Sequence, residues 1–384
     1  MNKPKIMTIF GTRPEAIKMA PVVKALRREK KLELVITVTA QHREMLDQVL
    51  ELFQIKPDYD LDIMQESQSL TDITTGVLKG LKNVYLQEKP DLVLVHGDTS
   101  TTFVGALASF YQQIKVGHVE AGLRTHDKYS PFPEEMNRHL TGVLADLHFS
   151  PTVEAKNNLL KEKVNPDNIY ITGNTVVDAL LNTVQKDYQF NNPVLSRIPF
   201  NKKKIILLTA HRRENLGQSL IDIFEGVKMI IQKNPEVEVI FPVHLNPEVR
   251  KPAEKILGNI EQVHLIEPLD YEPFANLMAR SYLILTDSGG IQEEAPGLGK
   301  PVLVLRDTTE RPEAVKAGTV EKVGTDREKI IKITNKLLNN KEQYQKMAKA
   351  GNPYGDGKAS QRILNRILYE FNLEENLLGE FVWE

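Results

Sequence analysis

Cysteine is absent from the 384 residues, which excludes disulfides, thiol nucleophiles and thiolate-bound metal from the chemistry of this chain. Excess charge is missing too: 49 Lys and Arg stand against 51 Asp and Glu, a formal net of −2. With no global positive field, nucleic acid is not an expected partner, and any phosphate must be held by local contacts. No apolar run reaches the roughly 18 residues of a membrane span, and the N-terminal MNKPKIMTIFGTRPE reaches a turn too soon for a signal-peptide core. A cytoplasmic protein with no membrane partner is the expectation. No G-x-G-x-x-G follows a predicted strand, and the GDG at 355–357 lies after a proline turn near the C-terminus, so no nicotinamide cofactor is expected.

What is present is ordinary in amount and informative in order. Short apolar runs alternate with longer segments of helical period. Six runs lie in the first half (5–10, 33–39, 91–95, 115–120, 146–150 and 168–172) and six in the second (203–209, 237–244, 262–267, 282–287, 301–305 and 319–323). Their hydrophobicity is continuous rather than alternating, as strands buried on both faces require. The length exceeds the roughly 250–300 residues at which a single core stops growing. The fold class predicted is α/β, with two doubly wound Rossmann-like domains facing across a cleft. Residues 1–184 form the first domain, the proline- and lysine-containing stretch 185–204 a linker, and 205–357 the second domain. Ile363, Leu364, Ile367, Leu368 and Phe371 recur at helical spacing, which predicts a terminal helix within 358–384 that packs back on the first domain.

Three carboxylates follow apolar runs: Asp98 in VHGDTSTT, Glu120 in GHVEAGLRT and Glu134 in SPFPEEMNR. At the carboxyl ends of parallel strands, acids face the crevice where open α/β sheets bind ligands, and there they suit proton transfer. Each has a blander reading. Asp98 fits the N-cap of the helix TSTTFVGALA, with Thr99 and Ser100 as competitors, and Glu134 fits a first helical turn, where an acid opposes the helix dipole.

Cations and a glycine turn occupy comparable positions. Arg13 and Lys18 follow the first strand; His211, Arg212 and Arg213 follow the run 203–209; Arg311 follows 301–305. Ser288, Gly289 and Gly290 turn from strand to helix, where bare backbone N–H groups can cradle a diphosphate, and Glu294 lies one turn on, placed to accept from ribose hydroxyls. His96 and Asp98, His118 and Glu120, with His126, His139 and His148 nearby, raise a rival reading as a metal hydrolase. That reading leaves Arg13, Lys18 and the glycine turn unused, and His118 and His148 read more simply as core histidines bonded to backbone. No metal is therefore expected.

Taken in order, GTRPEAIKMAP, QHREMLDQVL, VHGDTSTT, GHVEAGLRT, SPFPEEMNR, TGNTVVDAL, TAHRREN, PVHLNP, DSGGIQEEAP, ERPEA and NPYGDGKAS closely resemble the bacterial non-hydrolysing UDP-N-acetylglucosamine 2-epimerases. The resemblance implies a GT-B fold and reversible conversion of UDP-N-acetylglucosamine to UDP-N-acetylmannosamine for cell-surface polysaccharide. Elimination of UDP to 2-acetamidoglucal and its re-addition is the implied route. It implies acid–base or cation-stabilising roles for Asp98, Glu120 and Glu134, and phosphate contacts for Arg13, His211, Ser288, Gly289 and Gly290. Glu294 falls at the ribose, Leu269 and Phe274 at the uracil, and Lys18 and Arg311 among the remaining substrate contacts. Gln41, Arg212 and His244 match an activating second UDP-N-acetylglucosamine site. Glu44 and Ser67 depart from its pattern, so activation is expected to be weak or absent. A homodimer is implied. A hydrolysing 2-epimerase and a GT-B glycosyltransferase share parts of this pattern and are the alternatives; a non-catalytic sugar-nucleotide sensor is a more distant one.

Overall fold

The computed structural model describes residues 3–41, 43–65, 67–309 and 311–383. The chain divides into two compact units, residues 1–179 with 354–382 and residues 180–353 with 383–384.

In the first unit the order is β1 (Lys5–Phe10), α1 (Arg13–Arg28), β2 (Glu33–Val38), α2 (Arg43–Phe53), β3 (Tyr59–Asp60), α3 (Leu70–Glu88), β4 (Leu92–His96), α4 (Ser100–Tyr111) and β5 (Lys115–Val119). There follow α5 (Glu134–Leu144), β6 (Leu147–Ser150), α6 (Val153–Lys161), β7 (Ile169–Ile171) and α7 (Thr175–Thr183). The second unit holds β8 (Lys204–Thr209), α8 (Gln218–Lys233), β9 (Val237–Pro242), α9 (Pro247–Leu257), β10 (Val263–Ile266), α10 (Tyr271–Arg280), β11 (Leu283–Thr286) and α11 (Gly289–Glu294). It continues through β12 (Val302–Val304), α12 (Pro312–Ala317), β13 (Val320–Lys322), α13 (Arg327–Asn339) and α14 (Lys341–Ala348). Helix α15 (Ala359–Glu370) returns to the first unit.

Both sheets are parallel throughout. The first runs β3-β2-β1-β4-β5-β6-β7 and the second β10-β9-β8-β11-β12-β13. Strand order reverses between β1 and β4 in one sheet and between β8 and β11 in the other. Ligands of doubly wound sheets bind beside such a switch, at the carboxyl ends of the strands. The fold class read from the sequence, two doubly wound Rossmann-like domains, is the one observed.

The buried strands explain why the apolar runs were legible. Leu92–His96 are all buried in β4, as are Leu283–Thr286 in β11, with helices covering both faces. Met7, Ile9, Val93, Val95, Val104 and Tyr85 form one core, and Leu208, Phe224, Phe241, Leu285, Leu303 and Ile330 the other. Each such side chain contributes about 1.5–3 kcal/mol through burial.

The chain passes from one unit to the other inside α7, upstream of the stretch 185–204 expected to link the domains. That stretch is clustered with the second unit, where Arg280 lies over the rings of Phe190 and Phe200, 5.1 and 5.6 Å from their centroids. Aromatic burial, invisible in a proline- and lysine-containing segment, ties it down. The return passage falls at 353–354. Helix α15 packs on α1, and its start is fixed by the buried Asp178, which accepts from Ala359 N, Ser360 N and Ser360 Oγ at 3.1, 2.8 and 2.7 Å.

Candidate active site

Two loops at the β1/β4 switch build a site within the first unit. The turn after β1 brings Gly11 so close to Thr39 that a Cβ there would lie 1.8 Å from Thr39 Oγ1, so no larger residue fits. Helix α1 then starts at Arg13, and Glu15 reaches back to accept the Thr12 and Gly11 N–H groups at 2.8 and 3.0 Å. The other Glu15 oxygen accepts Thr99 Oγ1 at 2.7 Å and Thr102 Oγ1 at 3.1 Å. One carboxylate therefore ties the loop after β1 to the loop after β4. Burial holds the Glu15 carboxyl above its ordinary value in spite of these four donors.

A cavity of about 320 Å³ opens over these loops, lined by Lys18, Gln41, His96, Asp98, Glu120 and Glu134 among others. The three carboxylates expected to act together thus share one cavity. Glu120 sits just past β5 with φ at +63°, a left-handed conformation costing a non-glycine residue about 1–3 kcal/mol. Its Oε2 meets Lys18 Nζ at 2.5 Å, and Asn174 Nδ2 donates to it at 2.8 Å.

Asp98 follows the Gly97 turn, whose carbonyl oxygen lies 2.7 Å from the buried His118 Nε2. It does not cap α4. Thr99 does, accepting from Thr102 N, because a hydroxyl one residue later meets the helix amides directly. The Asp98 carboxylate instead receives Arg138 at 2.6 Å, while Asn137 holds its backbone carbonyl at 2.9 Å. Burial raises its pKa; Arg138 opposes this, and the Glu120 charge adds to it.

Glu134 is the first residue of α5, and its buried Oε2 has no hydrogen-bond partner among the described residues. Its neighbour Glu135 faces the other way. Burial pushes the Glu135 pKa up, but the Thr125 and His126 amides and the Arg138 guanidinium prevail, and it rests below the ordinary value. Arg13 heads α1 between Thr12 and Pro14, which line the cavity, without lining it itself.

The second unit carries a comparable construction at its β8/β11 switch. Asp287, fully buried after β11, accepts the His211 and Arg212 N–H groups at 2.8 Å each and Asn215 Nδ2 at 3.1 Å. His211 stacks on His244, centroids 5.4 Å apart and rings 8° from parallel. Ser288 stands at the N-cap position of α11 without a side-chain capping bond, and its N–H donates to Thr286 Oγ1. A Cβ at Gly290 would meet no atom within 4 Å, so packing does not demand glycine there, whereas close approach of a ligand to the backbone would.

Around this core, Arg311 pairs with Glu293. Burial raises the pKa of the Tyr271 phenol, and the charge of Glu294 adds to the rise. Leu269 and Phe274 flank the start of α10. Of the residues matched to a second nucleotide site, Gln41 lines the first unit's cavity, with Thr101 donating to it at 3.2 Å, while Arg212 and His244 belong to the second unit's cluster.

Glu15, Asn174, Arg138 and Asp287 were not singled out in the sequence. Their partners are backbone amides or residues far along the chain. No group of three or more His, Asp or Glu placed to hold a metal ion is found among the described residues, and none of their helices is long and apolar enough to cross a membrane.

Comparison with known proteins agrees with the resemblance read from the motifs. The family model described as UDP-N-acetylglucosamine 2-epimerase matches residues 24–368. The UDP-N-acetylglucosamine 2-epimerase of Bacillus subtilis is 57% identical over 381 residues, covering 99% of each chain. A crystal structure of UDP-N-acetylglucosamine 2-epimerase superposes with a TM-score of 0.93 at 54% identity, covering 100% of both chains. The Neisseria meningitidis UDP-GlcNAc 2-epimerase bound to UDP-GlcNAc superposes with a TM-score of 0.83 at 53% identity, covering 95% of this chain and 100% of that one. With a family model across most of its length and relatives above half identity from end to end, the chain belongs to the UDP-N-acetylglucosamine 2-epimerase family.

Proposed function

We propose that the protein interconverts UDP-N-acetylglucosamine and UDP-N-acetylmannosamine by eliminating and re-adding UDP, without net hydrolysis. The observation that carries this reading is the convergence of Asp98, Glu120 and Glu134 with Lys18 on one cavity, in a chain of this family. The proton on C2 is not next to a carbonyl, so its direct removal gives no stabilised carbanion. Breaking the C1–O bond first solves this. The bond pair leaves with the UDP oxygen, an oxocarbenium-like C1 forms, and loss of the C2 proton to a carboxylate gives 2-acetamidoglucal. Protonation of C2 from the other face and return of UDP to C1 complete the inversion.

The environments of the acids suit a division of labour. Glu120, ion-paired with Lys18, is the fixed negative charge that stabilises positive charge at C1. Asp98, whose pKa burial raises, and Glu134, with an oxygen unpartnered among the described residues, are the two proton carriers. His211 and the backbone of Ser288, Gly289 and Gly290 hold the departing diphosphate, Arg13, Lys18 and Arg311 assist at the substrate, Glu294 holds the ribose, and Leu269 and Phe274 hold the uracil. One well-placed donor to such a leaving group is worth about 3 kcal/mol. The product serves synthesis of cell-surface polysaccharide, and the working unit in this reading is a cytoplasmic homodimer.

Incubation with UDP-N-acetylglucosamine followed by ¹H and ³¹P NMR tests the reading. A second UDP-sugar should appear while free UDP stays negligible. Free UDP and N-acetylmannosamine accumulating with turnover would make the protein a hydrolysing epimerase. Unchanged substrate in the absence of an acceptor would point to a transferase.

A further inference from the structure

The Asp287 carboxylate is used unequally. Its Oδ2 accepts all three of the hydrogen bonds from His211 N, Arg212 N and Asn215 Nδ2, which tie the loop after β8 to the end of β11. Its Oδ1 is buried, has no hydrogen-bond partner among the described residues, and lies 3.5 Å from His211 Nδ1. A buried acceptor left unpaired is costly, and a slight turn of the imidazole satisfies it provided the ring proton sits on Nδ1. Stacking on His244 keeps the His211 ring in one plane.

We infer that Asp287 is the positioning residue of His211: it fixes the neutral ring as the Nδ1–H tautomer, leaves Nε2 as the proton acceptor, and favours the imidazolium once a nucleoside diphosphate is bound. The charged and titratable groups facing the ring are Asp287 after β11, His244 after β9, and Arg212 on its own loop. Burial pulls His211 below the ordinary histidine range; Asp287 opposes this, and His244 and Arg212 reinforce it. In the free site burial thus favours the neutral His211 ring. An arriving diphosphate supplies the negative charge that reverses the balance. One proton moves from solvent to Nε2, no bond to carbon changes, and the N–H so formed donates to a diphosphate oxygen. This extends the proposed reaction, because the same N–H would stabilise UDP as it leaves.

Asp287→Asn separates the two uses of the side chain. The amide oxygen can take over the three N–H donors, while the amide NH₂ faces Nδ1 and drives the ring proton to Nε2, as a carboxylate-to-amide change does in a Ser-His-Asp triad. Long-range ¹H–¹⁵N spectra of ¹⁵N-histidine-labelled protein, with His211 assigned by its loss in His211→Gln, read the tautomer without substrate. The Nδ1–H form is expected in the unmodified protein and the Nε2–H form in Asp287→Asn. An Nε2–H ring in the unmodified protein overturns the inference, and that result needs no variant to fold. Calorimetry of UDP binding near pH 8 in buffers of different ionisation enthalpy should show uptake of about one proton, lost in Asp287→Asn together with at least about a tenfold fall in UDP affinity. Equal proton uptake in both proteins also overturns it. Absence of any UDP binding to the unmodified protein would instead defeat the proposed function, leaving the tautomer result to stand by itself.

Discussion

Lys18 and Glu120, separated by more than a hundred residues, meet at 2.5 Å with only 17% and 10% of their side chains exposed. The ammonium comes from the first turns of α1 and the carboxylate from a left-handed residue after β5. The strain at Glu120 and the desolvation of the pair are both offset locally, by the pairing itself and by Asn174.

Lys18→Met should therefore be costly twice over. Removing one partner of a largely buried pair leaves the other charge uncompensated, a loss of about 3 kcal/mol in urea unfolding. Epimerisation should fall by at least about 100-fold, because Glu120 loses the contact that aims it. A variant with unchanged activity and stability would show the pair to be incidental.

Asp98 links activity to pH in a defined sense. Its folded pKa lies above the ordinary 3.8, so the protonated acid is favoured by folding. That stabilisation is fully present below the unfolded value and is lost as pH rises through the folded one. Ionised Asp98 thus weakens the fold at neutral pH. Asp98→Asn should melt at a higher temperature than the unmodified protein at pH 7.5, with the difference shrinking toward zero below about pH 4, while C2 exchange falls by about 100-fold or more. A lower melting temperature at pH 7.5 would mean that the Arg138 pairing outweighs burial.

Glu15 should tolerate one substitution and not another. Glu15→Gln keeps an oxygen for the two amides and leaves the two threonine hydroxyls to accept from its NH₂, so stability should change little. Glu15→Ala strands four donors and should cost about 3 kcal/mol or more. Both loops that carry Asp98 and Arg13 would loosen, and kcat/KM should fall with stability. Thermal melts beside steady-state kinetics check the contrast between the two variants.

Gly290→Ala distinguishes a ligand-facing glycine from a structural one. The added methyl meets no atom within 4 Å, and alanine is favoured over glycine in a helix by about 1 kcal/mol. The variant should melt no lower than the unmodified protein. Its affinity for UDP, measured by calorimetry, should fall by at least about tenfold, since the methyl would occupy the space through which a diphosphate approaches the backbone.

Much of this architecture was readable because parallel strands buried on both faces must be continuously apolar. All twelve runs became strands. The strand that escaped, β3, has only Tyr59 and Asp60 and cannot make a run. Asp98, Glu120 and Glu134 were legible because each follows an apolar segment and a turn. Glu15 and Asp287 were not, since a buried carboxylate that organises backbone amides resembles a capping acid in sequence. The N-cap went to Thr99 rather than Asp98 through a one-residue difference in where α4 begins, a detail set by the Gly97 turn and not by composition. The segment 185–204 looked like a linker because its anchors, Phe190 and Phe200 on Arg280, are few and scattered.

The central claim, that the C1–O bond breaks and re-forms during inversion at C2, is tested most directly by positional isotope exchange. UDP-N-acetylglucosamine carrying ¹⁸O at the bridge between C1 and the β-phosphorus would be incubated with the protein in D₂O and followed by ³¹P and ¹H NMR. The ¹⁸O should scramble into the non-bridging β-phosphoryl positions at a rate at least matching epimerisation, with deuterium entering C2. Epimerisation with ¹⁸O retained wholly in the bridge would contradict the account.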